Sequence, residues 1–353
     1  MKISVLCFDL SSNAFGRAWL LAKALSRVYD VEIIGTSRKG GIWAPMAHSK
    51  IPVKEFMWDR YPKFSRVKKN ILDAIDGDLI LASKLMPTSF GIGLQKKYSS
   101  GKPLIVDIDD WELGFFYHSG FWGGVGRFLN FSNPNGLPYV WRIERLVGEA
   151  DAVSVSNRFL QKKFKGALLP HCRDTSVLDP QKFNPDEIKE RIGLAGKKVV
   201  MFLGTPRPHK GLDDLLAAFK KIGDLNVKLV IIGAENQQEF LKRVDHSIRE
   251  SVVVLPKTPF QKLPELLSAA DILAIPQRRT SDSVGQIPAR LFDAMSMAKP
   301  IIATRISDIP EVLDGCGYLV DPNSPSQLVN TIQYILNNSD EARVKGDAAR
   351  ERC

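Results

Sequence analysis

The sequence predicts two doubly wound α/β domains, each a parallel sheet covered by helices on both faces. Three observations carry this expectation. Short β-branched and apolar runs alternate with amphipathic helical patterns along most of the chain. The alternation stops once, between about Leu169 and Lys197, where Pro170, Pro180 and Pro185 punctuate a polar stretch, and then it restarts. At 353 residues the chain also exceeds one ordinary core and fits two domains of about 150–200 residues. Apolar strands alternating with helices argue for parallel sheets buried on both sides.

Element by element, Lys2–Phe8 reads as a strand, Ser11–Gly16 as a loop and Arg17–Tyr29 as a helix with apolar spacing at Leu20, Leu21, Ala24 and Leu25. Val31–Gly35 and Asp78–Ala82 follow as strands, then a helix entered through Pro87, a favoured first helical residue. Pro103–Ile108 is a strand ending in Asp109-Asp110-Trp111, and a helix near Tyr139–Gly148 precedes the strand Ala152–Ser154. Residues 1–172 form the expected first domain, and 173–196 the linker, with a short helix at Asp186–Ile192. Residues 197–353 form the second domain. Its strands are Lys198–Leu203, Lys228–Gly233, Val252–Leu255, Ile272–Pro276, Ile301–Thr304 and Tyr318–Val320. Its helices are Leu212–Ile222, Gln238–His246, Leu263–Ala270, one opening after Pro288, and one from Pro325 to about Leu336.

No apolar run reaches the ~20 residues of a membrane span, and the N-terminal strand meets Asp9 too soon for a signal peptide. Cys7, Cys172, Cys316 and Cys353 are scattered without metal-ligand spacing, which points to a reducing, cytoplasmic setting and no disulfide framework. The net charge of +10 suits phosphorylated ligands or an anionic membrane face. No helix-turn-helix, zinc or RNA-recognition signature accompanies it, so nucleic acid is excluded as the expected partner. No Gly-x-Gly-x-x-Gly follows either domain's first strand, which argues against a dinucleotide enzyme.

The most telling segment is Gly285-Gln286-Ile287-Pro288-Ala289-Arg290-Leu291-Phe292-Asp293, with Lys299-Pro300 ending the helix it opens. A loop feeding a helix N-terminus offers unpaired N–H groups and a positive dipole end to an anion. Backbone N–H groups of Gln286, Ile287 and Ala289 are expected to face phosphates, while Asp293, one turn inside, accepts ribose hydroxyls. The same segment also fits an ordinary crossover with a buried helix.

With Phe202-Leu203-Gly204-Thr205-Pro206-Arg207-Pro208-His209-Lys210-Gly211, the second half resembles retaining glycosyltransferases of family 4, which have the two-domain GT-B fold with sheets facing across a cleft. The resemblance places Gly204 and Lys210 at the donor diphosphate. Thr205 stands where the family has an arginine, and Arg207 is expected to supply the second cation. Asp293 falls on the second glutamate of the family's Glu-x7-Glu element. Gly285 replaces the first, so Asp282 or Ser283 becomes the expected contact to the donor sugar. Lys257 and Thr258, after the strand Val252–Leu255, take the position of base recognition. Fixed cations aimed at the leaving diphosphate stabilise its growing charge without a metal. The expected chemistry is therefore metal-free, with no cofactor besides the nucleotide-sugar substrate; Asp107, Asp109 and Asp110 form the rival cation cluster.

In the first half, Gly16 lies in a loop resembling the family's small-residue loop over donor and acceptor, where a glycine lets the backbone approach a substrate. Asp109 stands where the family has a histidine facing the transferred sugar and is the best catalytic carboxylate. His118 and His171 have only positional significance, the latter at a cleft edge. The stretch from Phe115 to Phe128 carries six aromatics among glycines, and with Arg127, Arg142 and Arg145 it suits peripheral contact with an anionic membrane surface. The chain ends at Glu351-Arg352-Cys353 in a charged helix resembling the segment before the family's crossing helix, which is expected to be absent. The resemblance implies hexose transfer from a UDP- or GDP-sugar to a glycan or lipid-linked acceptor, at the inner face of the membrane. A non-catalytic nucleotide-sugar-binding protein and a GT-B UDP-sugar epimerase are the alternatives.

Overall fold

The computed structural model describes residues 1–44, 50–116, 126 and 128–353, apart from the side chains of residues 281 and 282. These residues divide into two compact units, 1–170 and 171–353. Both are doubly wound α/β folds.

The first unit contains β1 (Lys2–Cys7), β2 (Asp30–Ser37), β3 (Val53–Met57), β4 (Leu79–Ser83), β5 (Leu104–Ile108), β6 (Ala152–Val155) and β7 (Ala167–Leu168). They pair in the order β3-β2-β1-β4-β5-β6-β7, and every pair is parallel. Alternation along β1 divides the core: Val5 and Cys7 pack with Phe15, Ala18 and Ile33, whereas Leu6 packs with Ile34, Ile80, Phe90 and Val106 on the other face. The helices are α1 (Ala14–Leu25), α2 (Phe64–Ala74), α3 (Ile92–Ser100), α4 (Leu137–Arg145) and α5 (Arg158–Phe164). Strand β3 and helix α2 were not expected from the sequence. Val53–Met57 lies at the sheet edge and is half exposed, so it shows no buried apolar run.

One buried ion pair ties this unit together. Arg17 on α1 donates from Nε and NH2 to both carboxylate oxygens of Asp107 on β5, at 2.8 and 2.9 Å. It also donates to the carbonyls of Leu169 and Pro170. Ser154 on β6 donates to the same carboxylate at 2.7 Å. Fork geometry and full pairing are what make such a buried charge tolerable.

The second unit contains β8 (Lys198–Leu203), β9 (Val227–Ile232), β10 (Val252–Leu255), β11 (Ile272–Ile275), β12 (Ile301–Thr304) and β13 (Tyr318–Val320). Their order is β10-β9-β8-β11-β12-β13, again all parallel. Val200 and Phe202 of β8 face one half-core with Leu215 and Phe219, and Val199 and Met201 face the other with Leu267 and Leu291. The helices are α6 (Pro185–Arg191), α7 (Leu212–Ile222), α8 (Gln237–Arg243), α9 (Leu263–Ser268), α10 (Ser281–Val284), α11 (Ala289–Ser296), α12 (Ile309–Val312), α13 (Pro325–Asn337) and α14 (Ser339–Arg352). Helix α7 buries Leu212, Leu215 and Phe219 on one stripe, carries Asp213 and Asp214 at its positive end, and stops at left-handed Gly223.

The stretch 173–196, read above as a linker, folds as part of the second unit. Leu178 and Leu194 enter its core, and Arg350 of α14 donates to the carbonyls of Thr175 and Leu178 at 2.8 and 2.6 Å. Prolines and polar residues hid these few buried anchors. Among the described residues, no helix is long and apolar enough to cross a membrane.

Candidate functional site

In both units the strand order reverses beside the first strand, and ligands of open α/β sheets sit at the carboxyl ends of strands flanking such a reversal. In the second unit that place lies between the ends of β8 and β11. Strand β8 ends in Gly204 at φ +117°, and a Cβ there would stand 3.1 Å from Lys210 Nζ and 3.9 Å from Arg290 NH1. A short 3₁₀ turn, Pro208–Lys210, carries the chain to Gly211, which opens α7 at φ +69°. A Cβ on Gly211 would lie 1.6 Å from the Pro276 carbonyl oxygen, so only glycine fits against the end of β11. The two loops are pinned further. The Arg278 N–H donates to His209 O at 2.9 Å, and its guanidinium grips both oxygens of Asp214 at 2.8 and 2.7 Å.

This turn gathers positive charge. Lys210 is largely buried, and burial first, then the Arg290 and Arg207 cations, push its ammonium down to about 7. Arg290, at the start of α11, is buried; it donates from NH1 to Leu203 O at 2.8 Å and lies 4.8 Å from the Phe202 ring centre. Its Nε and NH2 are buried without a hydrogen-bond partner among the described residues. Burial lowers its pKa to about 10. Arg207, expected to be the second cation, is exposed. Among the described residues, no carboxylate pairs with Lys210, Arg207 or Arg290. A cationic cluster at a switch point, without a carboxylate partner among the described residues, can receive an anion.

Sequence reasoning missed Arg290, although it quoted the residue inside the Pro288–Asp293 segment. Its signal is a lone cation in a helix that is otherwise apolar nearly all round: residues Arg290 through Ser296 are all buried.

The remaining expected donor residues fall around α11. Asp293 is buried, and its Oδ1 accepts from Arg173 Nε, so its carboxylate already has one cationic partner. The Gln286 N–H donates to Ser283 O at 3.4 Å, closing a turn rather than standing open to a phosphate. The Ile287 side chain sits in the core. The Ser283 hydroxyl caps α10, accepting from the Thr280 N–H and donating to Arg278 O, so it is not open to a sugar. The Asp282 side chain lies outside the described residues. Lys257 is exposed, and Thr258 Oγ1 donates to Pro256 O within the turn after β10. His171 packs its ring 5.9 Å from Phe292.

In the first unit, two expectations change. Gly16 lies inside the first turn of α1, not in a loop, because the helix begins at Ala14. A Cβ on Gly16 would come 3.3 Å from the Trp43 ring, so its bareness serves internal packing. Asp109 is no isolated carboxylate. Lys84, which follows β4 at φ +71°, sends its ammonium 2.7 Å from Asp109 Oδ1, against Asp110 Oδ2, and 3.4 Å from Glu112 Oε1. Burial works against the Lys84 charge, but the three carboxylates outweigh it and hold the ammonium well above its ordinary range. Burial pushes Glu112 up to about 7 despite the nearby ammonium, with Asp110 and Asp109 adding to the rise. Ligand atoms of Asp109, Asp110 and Glu112 lie within 4.8 Å of one another, a cation-sized nest, and Lys84 is the cation found there. Asp107, grouped with them on sequence, is instead the partner of Arg17. His118 and Arg127 lie outside the described residues.

Residues 184–352 match the family model described as glycosyl transferases group 1. A GDP-mannose-dependent alpha-(1-6)-phosphatidylinositol monomannoside mannosyltransferase of Mycolicibacterium smegmatis is 28% identical over 224 residues, 59% of each chain. A D-inositol 3-phosphate glycosyltransferase of Segniliparus rotundus is 26% identical over 58% of this chain and 50% of its own. The chain thus matches about half to three fifths of the length of these relatives. A crystal structure of Anabaena HepE in complex with UDP and glucose superposes with a TM-score of 0.75 at 17% identity, covering 99% of this chain and 94% of that one. WaaG, a glycosyltransferase involved in lipopolysaccharide biosynthesis, gives a TM-score of 0.70 at 15% identity, covering 99% and 94%. The chain has the GT-B fold, and its residues 184–352 are similar to the group 1 glycosyl transferases.

Proposed function

We propose that this protein is a retaining, metal-independent hexosyltransferase that takes a sugar from a UDP- or GDP-linked donor and passes it to a glycan or lipid-linked acceptor. The observation that carries the reading is the cationic turn of Gly204–Gly211, with Lys210 and Arg290 beside the bare Cα of Gly204 and, among the described residues, no carboxylate paired with them. A diphosphate leaving group gains charge as the glycosidic bond breaks, and fixed cations there lower the barrier. In this reading Lys210 touches the diphosphate, Asp293 accepts ribose hydroxyls beside Arg173, and the turn bearing Lys257 and Thr258 meets the base. In the first unit, Asp109 acts as a charged partner of Lys84. The relatives' names, a GDP-mannose-dependent mannosyltransferase and a structure holding UDP and glucose, support a hexosyl nucleotide as donor.

The reading extends to peripheral membrane contact. Phe115, Phe128, Leu129, Phe131 and Trp141 are exposed in the first unit, and Trp141 shares α4 with the cations Arg142 and Arg145, the latter stacked on its ring. Co-sedimentation with anionic vesicles but not neutral ones is the expected result; equal recovery with both would remove this extension. The donor reading is tested with a panel of UDP- and GDP-sugars, following thermal shift and slow donor hydrolysis. Absence of any response to every nucleotide would overturn it. Binding without transfer to any acceptor would favour a non-catalytic binding protein.

A further inference from the structure

We propose that Arg290 supplies the second fixed positive charge of the diphosphate site, reaching it from α11 instead of from the loop that carries Lys210. The inference rests on the nucleoside diphosphate reading of that site.

Geometry places the charge there. Arg290 NH1 and Lys210 Nζ both lie close to the position a Gly204 Cβ would take, at 3.9 and 3.1 Å. The guanidinium is fixed by the 2.8 Å bond to Leu203 O and by the Phe202 ring beneath it. Among the described residues, no carboxylate pairs with it. Asp293, one turn further along α11, is taken by Arg173. Asp214, across the same loop, is taken by Arg278. A buried arginine without a counter-ion is costly in a folded protein, and a bound anion is the natural partner for it. Because Nε and NH2 are covered, Arg290 acts through its field and through Lys210, as a positioning residue. Arg207 is exposed and screened by solvent, so the buried guanidinium carries more of the interaction.

The test compares wild type with Arg290→Met and Arg290→Lys, using calorimetric binding of inorganic pyrophosphate, UDP, GDP and the two free nucleosides. Arg290→Met is expected to weaken pyrophosphate and nucleoside diphosphate by a similar factor of roughly tenfold, in line with loss of one charge near a multiply charged anion. Nucleoside binding should not change, and Arg290→Lys should recover most of the loss. The pH at which diphosphate affinity falls should also move upward in Arg290→Met. The charged neighbours of Lys210 among the described residues are Arg207 and Arg290, and removing one lets Lys210 hold its proton longer. Pyrophosphate binding unchanged in Arg290→Met would overturn the proposal. So would equal losses for nucleoside and pyrophosphate, or equal impairment of the Lys and Met variants, since either outcome assigns the effect to packing. A wild-type protein that binds no nucleotide would overturn the underlying functional reading as well.

Discussion

Raising the pH across neutrality should switch off the diphosphate site by discharging Lys210. Its ammonium titrates near 7 in the free protein because it is buried and faces Arg290 and Arg207. A bound diphosphate requires the charged form, so apparent affinity scales with the charged fraction. That fraction is about one half at pH 7 and roughly 3% at pH 8.5, which weakens binding about 15-fold between them. The fall is bounded by the worth of the contact itself, ~1.5–3 kcal/mol for a charge-assisted bond, or about 10- to 150-fold. Calorimetry of a nucleotide sugar in two buffers of different ionisation heat gives both affinity and proton uptake, expected to approach one proton per site at pH 8.5. Stability should move the opposite way. The folded value lies below the ordinary 10.5, so the stabilising contribution present at high pH is lost as pH falls through about 7. Affinity is therefore lost as melting temperature is gained, and Lys210→Met should abolish both trends. Wild-type affinity that is flat from pH 7 to 8.5, with no proton uptake, would refute the reasoning.

Three further outcomes are expected. Asp293→Asn leaves Arg173 without its ion-pair partner and should cost ~1–3 kcal/mol of stability; if Asp293 also holds the ribose, nucleoside diphosphate affinity falls more than pyrophosphate affinity, and equal losses in the two titrations rule that out. Glu112 is raised from 4.5 to about 7, so its contribution is present below about 4.5 and lost as pH rises through 7. Glu112→Gln should thus be more stable than wild type at pH 8 and no more stable at pH 4, as urea unfolding at the two pH values will show. Gly211→Ala forces a Cβ onto the Pro276 carbonyl at positive φ, with a strain of at least ~1–2 kcal/mol; a variant with wild-type melting temperature and pyrophosphate affinity would mean that this close approach does not matter.

The second unit was the more legible half because its strands are buried on both faces. Lys198–Leu203, Leu212–Ile222, Val252–Leu255 and Tyr318–Val320 fold over the residues that their apolar runs indicate. Where burial is partial the pattern fades: β3 at a sheet edge, the two-residue β7 and the short helix α12 were all missed. In the site, Lys210 was named through the family resemblance of the contiguous segment Phe202–Gly211. Arg290 was not, because its partner Leu203 lies 87 residues away and only the packing of α11 beside β8 joins them. The partner of Asp109 was missed for the same reason. A carboxylate after a strand looks free until Lys84, from the neighbouring strand, is seen against it.

The contact between Gly211 and Pro276 has a consequence for how this site can diversify. A turn with no room for a methyl group, bolted to its neighbour through Arg278 and Asp214, tolerates neither insertion nor enlargement. If the exposed turn Pro256-Lys257 meets the donor as proposed, variation in donor choice is expected there, where the backbone is open to solvent. On the donor reading proposed above, a library aimed at new donors is better spent on that turn than on Lys210 and Arg290, since changes at the turn are expected to shift preference while loss of either cation is expected to weaken every nucleotide sugar alike.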